Sequence, residues 1–208
     1  MSQIKVISFD AEGTLVTPDF SQSLWHEAIP ALYAQRRGIE LARAKELIVA
    51  EYDKLGDQRL EWYDVNYWFR CLDIGSPESV VQSCQSKKSY YPEVIEVLSS
   101  LDSEYELIVA SGTPLDLLSY LLKDIKHHFT HIFSSVSHYH QIKSSEFYLA
   151  ICEEMNVEPS EIIHVGDNWQ FDYLSPRQVG IRAFHLDRSG ENNESLRDLT
   201  QLKIYLPG

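Results

Sequence analysis

Basic side chains are scarce in this chain. Lysine and arginine number 18 against 31 aspartates and glutamates, a formal net charge of -13 at pH 7. So acidic a surface argues against non-specific attraction to nucleic acid or an anionic membrane. A phosphate-bearing substrate also needs explaining, unless a metal ion and a few cations offset the charge locally. Cysteine is scarcer still. Cys71, Cys84 and Cys152 are odd in number and widely spaced, with no CxxC pair. That excludes a disulfide framework and a zinc site and leaves buried or half-buried free thiols. No apolar run approaches the ~20 residues that span a bilayer, and no positively charged, apolar leader precedes the first strand. Repeats and low-complexity tracts are absent too. The expectation is a soluble, cytoplasmic protein.

What is present suits a folded domain. Of the 208 residues, 44% are hydrophobic and 24% charged, enough for one well-buried core or a core with a smaller inserted unit. The first strong pattern is Ile4 to Thr14, IKVISFDAEGT. Its near-continuous apolar run fits a strand buried on both faces and places Asp10 at the strand's carboxyl end, where open α/β sheets bind ligands.

The texture then changes. Ser21 or Ser23 is a candidate cap for a helix carrying Leu24, Trp25, Ala28, Leu32 and Tyr33, with Pro30 inside it as a kink or division and Gly38 at its end. Further helical patterns cover about 40–55, the aromatic-rich stretch 60–72 and a segment opening at Pro77. No strand signal occurs between Asp19 and Lys88, so residues 17–88 read as a helical insertion into a core made of 1–16 and 89–208.

From Pro92 onward, helices alternate with strands at 105–110, 131–136, 161–165 and 181–186, the mark of a doubly wound parallel α/β sheet. The tail after Asn192 reads as surface loop plus a short amphipathic helix.

Polar residues follow four of these strands: Asp10 with Glu12, Ser111, Lys143 shortly after the third strand, and Asp167 with Asp172. In a parallel sheet all of them gather along one edge. Singly, each has a bland explanation as a cap or turn residue. Jointly, the acids repel one another by roughly 4 kcal/mol per close pair at ~4 Å and an effective dielectric constant of ~20. Lys143 supplies one compensating charge, and a hard divalent ion bound by oxygen alone, Mg²⁺ rather than Zn²⁺, is the obvious second.

On these residues the chain resembles a known family. FDAEGTL, VASGTP, the lysine of HQIKSSEFY and HVGDNWQFDYLSPRQVG look like the four motifs of the haloacid dehalogenase (HAD) superfamily of hydrolases. The likeness covers essentially the whole chain, with the helical insertion where some members carry a small α-helical cap.

The resemblance implies that Asp10 is a nucleophile forming an aspartyl-phosphate. It implies Mg²⁺ held by the Asp10 carboxylate, the Glu12 carbonyl and Asp167, with Asp172 acting through water or hydrogen bonds. Ser111 and the Gly112 N–H would hold the transferring phosphoryl group of a small phosphorylated metabolite, and Lys143 would neutralise its charge. One departure stands out: most phosphatases of the family carry aspartate two residues after the nucleophile, and here that position is Glu12. The alternatives are a metal-independent 2-haloacid dehalogenase, whose members lack that second acid, and a phosphate-binding or interaction protein disabled by Glu12.

Other candidates weigh less. Trp62, Tyr63, Tyr67 and Trp68 fit the insertion's own small core better than a substrate lid. Trp169, inside the fourth motif, is a candidate for facing the pocket. His138 and His140 read as solvated, and His164 as a satisfied core histidine. The sequence is silent on oligomeric state.

Overall fold

A computed structural model describes residues 3–206. The chain forms two compact units, Met1–Val16 with Tyr90–Gly208, and Thr17–Ser89.

The first unit is a five-stranded, all-parallel sheet built from β1 (Val6–Phe9), β2 (Glu106–Ser111), β3 (His131–Ser134), β4 (Ile162–Gly166) and β5 (Arg182–His185) in the order β3-β2-β1-β4-β5. Every residue of β1 and β4 is buried, which is why both read as unbroken apolar runs rather than alternating ones. The chain winds outward from β1 through β2 to β3, then crosses back to β4 and β5. That reversal puts a topological switch point between β1 and β4, where such sheets open a crevice at their carboxyl edge. Phe133, Phe147, Tyr148 and Ile151 pack with Val6, Ile108 and Ile162 in one buried cluster.

Strand three ends two residues sooner than its apolar run suggests. Ser134 stops it, and its hydroxyl accepts the Ser137 N–H to cap a helical turn, Ser135–His138. The tail is less peripheral than expected: Leu199 and Leu202 are buried within a 3₁₀ segment, Leu199–Tyr205.

The second unit is helical among its described residues. The kink expected at Pro30 takes a definite form. Residues Gln22–Ala28 run as a wider π-type turn, in which the Ile29 N–H reaches back to the Leu24 carbonyl, and a regular helix, Ile29–Arg37, starts with the proline in its first turn. There the missing N–H costs little. Gly38 closes it at φ 64°, the left-handed region that glycine enters freely. Trp68 and Tyr52 are buried and meet edge to face at 4.6 Å, while Trp62, Tyr63 and Tyr67 are half-buried around them.

Of the three thiols, Cys84 and Cys152 are buried and Cys71 is exposed, against the expectation of buried or half-buried thiols; Cys71 falls on the outward face of its helix, Val65–Leu72. No helix among the described residues is long and apolar enough to cross a membrane.

Candidate active site

β1 hands the chain directly to a tight turn. The Asp10 N–H still donates to the Val165 carbonyl at 2.9 Å, so Asp10 is the last residue tied to the β1–β4 ladder. Beyond it, the N–H groups of Leu15 and Val16 both donate to the Ala11 carbonyl, and that of Gly13 to Val16. Gly13 is required twice over. Its φ is +78°, and a Cβ there would lie 2.1 Å from Asp167 Oδ2.

The loop after β4 supplies the next two acids. The Asn168 side chain accepts the Phe171 N–H and starts a helical turn, Trp169–Leu174, which folds Asp172 back over Gly166. A Cβ on Gly166 would sit 2.3 Å from Asp172 Cγ. Asp172 is fully occupied: Oδ2 accepts the Asn168 N–H at 2.9 Å, and Oδ1 faces both Lys143 and His164.

Lys143 stands between two carboxylates. Its Nζ is 2.7 Å from Asp10 Oδ1 and also donates to Asp172 Oδ1, with all three side chains at most a tenth exposed. Burial opposes its charge, but Asp10 and Asp172 outweigh that and hold the ammonium well above its usual pKa. Asp172 is correspondingly depressed: burial raises it, but Lys143 and the His164 hydrogen bond prevail.

The other two acids go the opposite way. Burial pushes Asp10 up to about 6, with Lys143 opposing and Asp172 adding to the shift. Asp167, rimmed by solvent but crowded by protein, is raised to about 7 by desolvation and then by Asp10 and Asp172.

Oxygens of Asp10, Asp167 and Asp172 lie within 4.8 Å of one another. Three carboxylates against one ammonium leave a net charge of -2 when all are ionised. An all-oxygen donor set with that deficit fits a hard divalent cation such as Mg²⁺. Because both Asp172 oxygens already accept hydrogen bonds, Asp10 and Asp167 are the carboxylates with capacity to hold such an ion directly.

Two further predicted residues come from β2 and the turn after it. Ser111 is buried and hydrogen-bonds the Asp10 carboxylate, and Gly112 follows it, half-buried. Glu12 is turned toward the same turn, where Thr113 Oγ1 donates to its Oε2 at 3.0 Å. Thr113 is fixed in turn: the Ser134 hydroxyl donates to its carbonyl at 2.8 Å.

The seven residues expected to carry chemistry thus lie along the carboxyl edge, Ser111 at the end of β2 and the others in the segments beyond the strands, and Asp10, Ser111, Lys143, Asp167 and Asp172 converge there. Trp169 is 44% exposed and leans on Tyr173 and His185, whose Nε2 bonds the Asp167 carbonyl. His138 and His140 are exposed.

Sequence reading expected His164 to be a satisfied core histidine, as it is, but missed that it supports the acids. His164 is buried with Nε2 3.1 Å from Asp172 Oδ1 and Nδ1 2.8 Å from Ser8 Oγ, and the Tyr148 hydroxyl lies 3.0 Å from the same Nε2. One signal was available: Ser8 and His164 are polar residues in otherwise apolar strands, and they pair across β1 and β4.

The fold and this edge define a doubly wound α/β protein with its acids at the switch point. A family model of haloacid dehalogenase-like hydrolases matches residues 4–180, and the chain belongs to that family. Solved structures agree. A HAD phosphatase from Thermococcus onnurineus is 25% identical over 99% of both chains, with a TM-score of 0.85. The HAD hydrolase YfnB of Bacillus subtilis, solved with magnesium, is 15% identical over 99% of both chains, with a TM-score of 0.70. A 2-haloacid dehalogenase from Pseudomonas syringae is 19% identical over 97% of both chains, with a TM-score of 0.67. No curated protein matches the sequence.

Proposed function

We propose that this hydrolase is a Mg²⁺-dependent phosphatase of small phosphorylated metabolites, with Asp10 as nucleophile. The observation that carries the reading is the trio Asp10, Asp167 and Asp172, with Lys143 as the one ammonium paired with it among the described residues. Asp172 is taken up by Lys143, and a site that only attacked carbon would have no use for Asp167 as a further acid beside the nucleophile. The ion, held by Asp10, Asp167 and the Glu12 carbonyl, would supply positive charge opposite the phosphate.

The protein's own groups do the rest. An Asp10 oxygen bonds to phosphorus as the bond to the leaving oxygen breaks, and Glu12 gives that oxygen a proton. Water then attacks phosphorus, Glu12 takes its proton, and Asp10 is released. Ser111, the Gly112 N–H and Lys143 would bind the phosphoryl oxygens throughout. Asp172 and its hydrogen-bond partners orient Lys143. The helical unit Thr17–Ser89 is read as the cap that selects the substrate.

Turnover of p-nitrophenyl phosphate with and without Mg²⁺ tests this. Activity should require the ion and vanish in Asp10→Asn; full activity in that variant, or none in the wild type, rejects it. A second reading, 2-haloacid dehalogenation by the same Asp10, draws on the likeness to the Pseudomonas enzyme. It predicts halide release from 2-chloropropionate in the presence of EDTA. Glu12→Asp addresses the third, a disabled binding protein. Aspartate is one methylene too short to keep the Thr113 hydrogen bond, so turnover should fall. A rise by orders of magnitude would mark the native protein as a poor catalyst.

A further inference from the structure

Arg188 lies outside every motif that marks the site, in the loop after β5, yet its side chain returns to the β1 turn. Nε donates to the Gly13 carbonyl at 3.2 Å and Nη2 to the Thr14 carbonyl at 2.7 Å. Nη1 pairs with Glu93 at 2.8 Å, and the guanidinium carbon rests 3.4 Å from the centre of the Tyr91 ring. Every guanidinium nitrogen is thereby engaged, and the side chain is only 18% exposed. An arginine so fully committed to backbone carbonyls, one carboxylate and one ring fixes geometry. What it fixes is the Gly13–Thr14 and Thr14–Leu15 peptides, one residue beyond Glu12.

Glu12 is then held at both ends. Thr113 orients its carboxylate, and Arg188 anchors its turn from behind. Arg188 touches none of the reacting groups.

We propose that Arg188 is the positioning residue of Glu12, setting where its carboxyl meets the leaving oxygen. This rests on the phosphatase reading above. The step it serves moves one proton from Glu12 to the departing oxygen while the P–O bond to that oxygen breaks and the Asp10 O–P bond forms. An alkyl alcohol needs that proton to leave. An aryl alcohol such as p-nitrophenol leaves as a stable anion and needs it far less. Glu12 also serves the later attack of water, which is common to both esters, so the contrast is read in kcat/KM, which reports transfer to Asp10. A residue acting through Glu12 matters there for alkyl phosphates and hardly for aryl ones, whereas a residue that only supports the fold slows both equally.

The test compares wild type, Arg188→Ala and Arg188→Lys with Mg²⁺ on an alkyl phosphate and on p-nitrophenyl phosphate. Lysine keeps a charge beside Glu93 but cannot bridge two carbonyls while stacking on a ring, so it serves where alanine does not fold. Both variants should lose about 10- to 100-fold in kcat/KM on the alkyl ester, part of the roughly 10²–10⁴-fold that general acid assistance supplies, with a much smaller loss on the aryl ester. In a Glu12→Gln background the selective loss should disappear.

Hydrogen exchange is read alongside. The Leu15 and Val16 amides should exchange faster in both variants while those of β2 do not change. Equal losses on both esters, or an unchanged turn, overturn the proposal. A wild type that hydrolyses neither ester overturns the phosphatase reading instead, and exchange at the turn then decides the clamp.

Discussion

The ammonium of Lys143 stands 2.7 Å from the Asp10 carboxylate at a depth where neither side chain is more than a tenth exposed. A second carboxylate, Asp172, shares the same ammonium. Removing one member of a buried ion pair typically costs about 3–5 kcal/mol, because the remaining charges lose their partner. Lys143→Met should therefore destabilise the protein by about that much in urea unfolding, with turnover lost. Mg²⁺ should return part of the stability, since it supplies positive charge to the same acids. A variant as stable as wild type without the ion would show that Asp10 and Asp172 do not depend on this cation.

The acids also set an expected pH dependence for the metal-free protein. Burial pushes Asp10 up to about 6 and Asp167 up to about 7, above the ordinary aspartate value of 3.8. Groups with raised folded values bind protons more tightly in the native state, so the stability they contribute is full below about pH 4 and declines as pH rises through 6 and 7. Asp172 is depressed, so its contribution is present above 3.8 and is lost only as pH falls below that. Without metal, the melting temperature should fall between about pH 4 and 7, and added Mg²⁺ should flatten the slope. A slope that Mg²⁺ leaves unchanged would mean that the ion does not reach Asp10 and Asp167.

Much of this site was legible in the sequence for a simple reason. In an all-parallel sheet, strand ends share one edge, so Asp10, Ser111 and Asp167 were brought together by topology alone. Lys143 needed the loop after β3 to turn inward, which the motif suggested and no periodicity did. Arg188 was invisible because its partners are the carbonyls of Gly13 and Thr14, and every residue carries a carbonyl. Likewise, nothing in local pattern distinguishes a histidine that fills a core from one that braces a carboxylate, as His164 does. The π-type turn before Pro30 shows the same limit: the proline announced an interruption, and only packing chose its form.

Gly166 offers a steric test of the loop after β4. A methyl group there would meet Asp172 Cγ at 2.3 Å and Cβ at 2.6 Å, well inside any tolerable contact. Gly166→Ala must push Asp172 away from Lys143 and from the Asn168 N–H. Overpacking of this kind typically costs about 1–3 kcal/mol. Turnover should fall further than the stability loss explains, because Lys143 loses one of the two carboxylates that aim it. Normal kcat with normal stability would mean that Asp172 does not hold Lys143 in place.

His164 gives the sharpest prediction about that support. Asp172 can only accept, so the ring must carry its proton on Nε2, and Nδ1 is left to accept the Ser8 hydroxyl. Burial lowers the ring's pKa and keeps it neutral, which makes the tautomer the relevant variable. Tyr148 does not compete, since its proton goes to the Phe171 carbonyl at 2.9 Å and its oxygen can share the Nε2–H. Glutamine places an amide N–H close to the position of Nε2, asparagine places one closer to Nδ1, and leucine offers neither. Partners of this kind typically tune a site by about 10- to 100-fold. His164→Gln should keep most of the turnover, while His164→Asn and His164→Leu lose about that factor in kcat with little change in KM. Ring-nitrogen NMR of the wild type should show Nε2 protonated, and Ser8→Ala should loosen that preference. Equal losses in the glutamine and leucine variants, or a ring protonated on Nδ1, would assign His164 to packing and leave Asp172 to be held by Lys143 and Asn168 alone.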